Sequence, residues 1–87
     1  MKASVIRKVA EKYTYEELEA AAEVIAEEER DPLGIDGEDL GEKLTHVMLA
    51  MRIRQKVDSE GMDLRVAFRE QLGEVRDLLE NLSLIHI

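Results

Sequence analysis

The stretch from Leu40 to Val57, LGEKLTHVMLAMRIRQKV, constrains what this chain can fold into more than any other. At about 100° per residue, Leu40, Leu44, Val47, Met48 and Met51 fall on one apolar stripe. Leu49, Ala50, Ile53 and Val57 fall on a second stripe, nearly opposite. A helix on the surface of a small domain needs one apolar face. A helix with two must be covered from two sides, by other helices of its own chain or by its chain and a partner.

Whatever covers it is aliphatic. The 87 residues include only Tyr13, Tyr15 and Phe68 as aromatics, so the core is Leu, Ile, Val, Met and Ala, a composition suited to helix-on-helix packing. A chain of this length forms one domain with a small core, a size at which oligomerisation commonly adds support. The mixture of 37% charged and 45% hydrophobic residues belongs to globular proteins and not to disordered ones.

The remaining helices can be read from their boundaries. Ser4 is an acceptable N-cap for a first helix over about 4–12, with Val5, Ile6, Val9 and Tyr13 on one face. Thr14 and Glu17 have the spacing of a capping box, flanked by Tyr13 and Leu18 at staple positions, and open a second helix over 15–30. Leu18, Ala21, Ala22 and Ile25 are its buried stripe, and Asp31-Pro32 ends it. Asp36 is the expected N-cap of the central helix, 37–58, with Gly61 in the turn after it. Asp63 then caps a fourth helix, 64–81, with Leu64, Phe68, Leu72, Val75, Leu78, Leu79 and Leu82 on one stripe. The expected fold is all-α, a small antiparallel bundle of four helices with the third central.

The last six residues, LSLIHI, alternate like a strand and break the pattern before them. They back-translate as CTG-TCT-CTT-ATA-CAC-ATC, which resembles the transposase end sequence used in preparing sequencing libraries. The expectation is a single native domain over 1–81 and a non-native tail over 82–87, which leaves His86 without meaning.

Charge is distributed unevenly around the net value of −8. Residues 16–42 carry twelve acids against Arg30, whereas residues 43–57 carry Lys43, Arg52, Arg54 and Lys56 with no acid. As a whole such a surface repels nucleic acid and anionic lipid and favours basic protein partners. The basic stretch of helix three lacks aromatic stacking residues, so the preferred reading is that it neutralises helix two within the chain. Glu16, Glu19, Glu23 and Glu27 then form either a solvated face or one that meets that basic strip or a basic partner.

Catalytic signatures are absent. Without cysteine there is no disulfide, thiolate nucleophile or cysteine metal site. No segment is apolar enough for a signal core or a membrane span, and the expected compartment is the cytoplasm. Ser4, Thr14, Thr45, Ser59 and Ser83 stand in no nucleophile-like context. His46, one turn after Glu42, is the native histidine, and the pair is a weak candidate for metal or proton binding. A second such pair would be needed for a bundle metal centre. His46 also aligns with Leu49, Ala50 and Ile53, so a structural or interface histidine is the preferred reading. The segment DPLGIDGEDLGE imitates a calcium loop, but Leu33 and Ile35 stand where ligands belong, and the capping-and-loop reading is preferred. Gly34, Gly37 and Gly41 lack phosphate-loop spacing, and Asp36, Glu38 and Asp39 already occupy that helix end.

The combination of VIRK, YTYEELEAA, IDGEDLGEKLTHVMLA and GMDLRVAFRE resembles a family of short uncharacterised bacterial proteins, a domain-of-unknown-function family. Its recurrent block is GE-x-LTH, here Gly41 to His46, and the likeness covers residues 1–80. The resemblance implies an intracellular accessory protein, with genes that can sit near those of peroxiredoxins and thioredoxins, and hence a redox-related partner. It implies no active site. The resulting expectation is a non-enzymatic interaction or accessory module without cofactor, self-associating as a homodimer through His46, Leu49, Ile53 and Val57. The alternative is a metal-binding or enzymatic protein using Glu42 and His46 across a subunit interface.

Overall fold

The computed structural model describes residues 2–85, with side chains described for residues 2–78. Four helices follow in order: α1 (Ala3–Lys12), α2 (Tyr15–Glu28), α3 (Leu40–Glu60) and α4 (Leu64–Ile85). The all-α fold with a central third helix is what the two-striped segment requires. α3 packs against each of the other three helices, and α1 also meets α4; among the described residues, α2 meets neither α1 nor α4.

The core runs along α3. Val47, Ala50 and Ile53 have no exposed surface, and they meet Ile6, Val9 and Ala10 of α1, Leu18 and Ile25 of α2, and Ala67 of α4. Both stripes are therefore used, except that Met48 of the first is 55% exposed. Helix direction departs from the expected antiparallel arrangement. The Lys2 backbone N–H donates to His46, and Arg54 donates to the Ala10 carbonyl, the same sequence offset at two points. α1 thus runs parallel to α3. The reason is connectivity: α2 and the segment after it return the chain to the end from which α1 started.

Local chemistry sets the ends. The capping box is formed: Glu17 N–H donates to Thr14 Oγ1 at 3.1 Å, and Thr14 N–H donates to Glu17 Oε1 at 2.9 Å. Gly61 takes φ 67°, and the Met62 N–H folds back onto the Lys56 carbonyl at 3.3 Å, ending α3. Asp63 receives the Arg65 N–H at 2.9 Å and starts α4.

Several boundaries differ from expectation. α1 begins at Ala3 with Lys2 as N-cap and no side-chain cap, so Ser4 lies inside the helix. α2 stops at Glu28, because Glu29 turns left-handed at φ 54°, before the proline acts. α3 begins at Leu40 with Asp39, not Asp36, as N-cap; its carboxylate receives the Glu42 N–H at 2.8 Å. Asp36 is unavailable for that role because its carbonyl is held by His46, within a segment that carries no helix. α4 continues to Ile85, past the expected end at 81. The rest of the 82–87 tail lies outside the described residues.

Candidate functional site

His46 is the most buried polar side chain among the described residues. The ring has no exposed surface, and both nitrogens are engaged. Nε2 accepts the Lys2 backbone N–H at 3.0 Å, which requires that nitrogen to be unprotonated. Nδ1 therefore carries the hydrogen and donates it to the Asp36 carbonyl at 2.8 Å. One neutral tautomer thereby joins the start of α1, the α2–α3 connection and α3. Glu42 Oε1 lies 3.7 Å from Nε2, close enough to pair with a charged ring but outside a hydrogen bond to this one.

That geometry answers what the Glu42–His46 pair can do. A metal ligand must present a nitrogen lone pair, and the one lone pair on this ring already receives an N–H. Among the described residues no group of three or more His, Asp or Glu side chains converges where it could hold a metal ion.

The connection between α2 and α3 contains a residue that sequence reasoning assigned only to helix termination. The Asp31 carboxylate receives the N–H groups of Leu33 at 2.9 Å and Gly34 at 3.0 Å, and also that of Ile35. Its charge is met by Lys43 Nζ at 3.4 Å. Three backbone donors on one side chain fold the loop so that Ile35 enters the core and the Asp36 carbonyl faces His46. The signal was present in the sequence, since an Asp followed by Pro and Gly is a turn former whose carboxylate reaches donors a few residues on.

The expected interface residues have different fates. His46 and Ile53 are wholly covered inside the chain, so neither presents surface to a second molecule. Leu49 and Val57 are half-buried.

The basic strip of α3 does not neutralise α2. Lys43 is held by Asp31, and Arg54 pairs with Asp58 of its own helix at 2.7 Å. Lys56 bridges to Glu70 at 2.6 Å and Glu74 at 2.9 Å, both on α4. Hydrogen bonds to Glu70 and Glu74 push the Lys56 pKa up to about 12. The geometric reason is direction: Lys43, Arg54 and Lys56 leave α3 toward the loop, α1 and α4, while Arg52, the remaining member of the strip, lies at the α2 seam without an ion pair among the described residues. Glu16, Glu19, Glu23 and Glu27 are exposed and carry no ion pair among the described residues.

Two surface hollows lie between helices. One, of about 300 Å³, lies at the α2–α3 seam and is lined by Tyr15, Met48, Met51, Arg52 and Gln55. The other, of about 470 Å³, lies between α1 and α4, with Phe68 in its wall and Arg7, Lys8 and Glu11 lining it from α1. Neither contains a nucleophile and base at bonding distance.

These features define a class: a small all-α protein organised on one central helix, whose histidine is buried and bonded at both ring nitrogens. No helix among the described residues is long and apolar enough to cross a membrane. The model of a family of unknown function, DUF6952, matches residues 1–80, and the chain belongs to that family. No curated protein and no solved structure matches it.

Proposed function

We propose that this protein is a non-enzymatic interaction module of the cytoplasm that works by associating with itself. One observation carries the reading: exposed groups of opposite charge stand on separate flanks of α3 and have no ion pair among the described residues. The α2 glutamates lie on one flank. Lys8 of α1 and Arg65, Arg69 and Arg76 of α4 lie elsewhere, also without ion pairs among the described residues. A chain with twenty acids and twelve bases can pair its cations cheaply, yet among the described residues Arg7, Arg30 and Arg54 pair only locally, and Lys43 and Lys56 are the cations whose pairs tie elements together.

Exposed apolar side chains point the same way. Met48, Val66 and Leu78 are more than half exposed, beyond what α3 and its neighbours cover. The reading moves self-association away from His46 and Ile53, which the fold covers, to these outer surfaces. Light scattering across the micromolar range tests it: the weight-average mass should rise with concentration from the 9.9 kDa of one chain. A mass that stays at one chain throughout would overturn the reading.

A further inference from the structure

Two patches of the same chain complement each other but cannot meet within it. The first is the α2–α3 seam. Glu16, Glu19 and Glu23 are exposed on α2, and Met48, 55% exposed on α3, lines the seam's hollow. Tyr15 and Gln55 also line that hollow, and Arg52 is its one charged lining residue, so the acids of this patch lie on α2 outside the hollow. Methionine at the centre suits a contact that must adapt its shape.

The second patch is the α1–α4 groove. Phe68 forms its apolar wall, and Arg7, Lys8 and Glu11 line it from α1. On α4, Arg65 and Arg69 lie roughly 60° and 100° round the helix from Phe68, in the direction away from Glu70 and Glu74. Those two acids are turned toward Lys56 of α3. α4 therefore shows its acidic flank to α3 and its basic flank to solvent on the outer side of the groove. Arg7 is partly neutralised by Glu11 at 3.2 Å, but Lys8, Arg65 and Arg69 have no ion pair among the described residues.

Because α2 and α4 lie against α3 without touching each other, one chain's glutamates cannot reach its own groove. We infer that the α2–α3 seam of one copy docks into the α1–α4 groove of a second copy, Met48 toward Phe68 and Glu19 and Glu23 toward Arg65 and Arg69. This rests on the self-association proposed above and names its surfaces. A specific contact of the smallest stable class buries about 600 Å² on each partner, roughly a tenth of the 5890 Å² surface. The contact joins two different patches, so each copy keeps one unused patch and assembly continues past the dimer or closes as a ring.

A charge swap tests the inference. One variant carries Glu19→Lys and Glu23→Lys; the other carries Arg65→Glu and Arg69→Glu. All four positions are exposed, so circular dichroism should show both variants folded. Sedimentation velocity should find each variant alone weakened by about tenfold or more, because like charges then face each other. An equal mixture has the mean net charge of the natural chain, −8, and should recover association, because each reversed patch meets its new complement. Variants that associate as the natural chain does, or a mixture that stays as dissociated as its components, would overturn this pairing while leaving self-association intact. A natural chain that never associates would instead remove the reading on which it rests.

Discussion

Replacing His46 by leucine isolates the work of its two ring nitrogens. Leucine is of similar size, so little cavity is created, but it neither accepts nor donates. The Lys2 N–H, now at 3.0 Å from Nε2, and the Asp36 carbonyl, now at 2.8 Å from Nδ1, would both lose their partner. A fully buried stranded group costs about 1–3 kcal/mol. Lys2 and Asp36 are exposed residues, so water can reach the freed groups after a small opening, and the lower part of that range applies. The sum is about 2–3 kcal/mol, partly offset by the greater apolarity of leucine. For a domain of this size that corresponds to a fall of roughly 10–20 °C in Tm. Urea unfolding followed by circular dichroism measures the loss. His46→Gln can return an acceptor near the Nε2 position and His46→Asn a donor near the Nδ1 position, so each should recover part of it. Amide exchange at Lys2 should quicken in the leucine and asparagine variants and less in the glutamine variant. A leucine variant as stable as the natural chain would refute the reasoning.

Asp31→Ala frees three backbone donors at once and should cost about 2–3 kcal/mol in the same unfolding assay, with Asp31→Asn intermediate because it retains one acceptor oxygen. Glu29→Gly should instead stabilise by about 1 kcal/mol, since φ 54° costs a non-glycine residue roughly 1–2 kcal/mol and glycine returns part of that as chain entropy. Lys56 has a folded pKa of about 12 against an ordinary 10.5, so its tie to α4 is fully present below 10.5 and lost as pH rises toward 12. Stability measured against alkaline pH should fall through that window in the natural chain, and Lys56→Met should lack that component.

What was legible in the sequence was what is encoded over a few residues. Thr14 and Glu17 name each other's partner three positions away, and the structure forms both bonds. Gly61 and Asp63 are similarly local. The two stripes of α3 also specified its central place, because a helix apolar on two sides has no stable position at the edge. Asp36 and Asp39 are each plausible N-caps, and local pattern could not choose between them. The choice is made by His46, ten residues from Asp36, through the carbonyl it holds. The parallel course of α1 is likewise marked by contacts across forty-four residues, from Lys2 to His46 and from Ala10 to Arg54. The expected neutralisation of α2 failed for a directional reason. Charge counted along a segment does not say which side of a helix a lysine leaves from, and Lys56 leaves α3 toward α4.

The same directional point underlies the proposed function: α2 and the α1–α4 side keep complementary charges that the fold holds apart. Ionic strength interrogates this directly. At 0.15 M salt a Debye length of about 8 Å screens the repulsion between whole molecules of net charge −8 but leaves contacting ion pairs effective. At 1 M salt the length is about 3 Å, and the pairs themselves weaken. Sedimentation velocity at both salts is the deciding measurement. The account predicts a concentration-dependent mass above 9.9 kDa at the lower salt that returns toward one chain at the higher. A single-chain mass at both salts, or association that strengthens at 1 M, would contradict it.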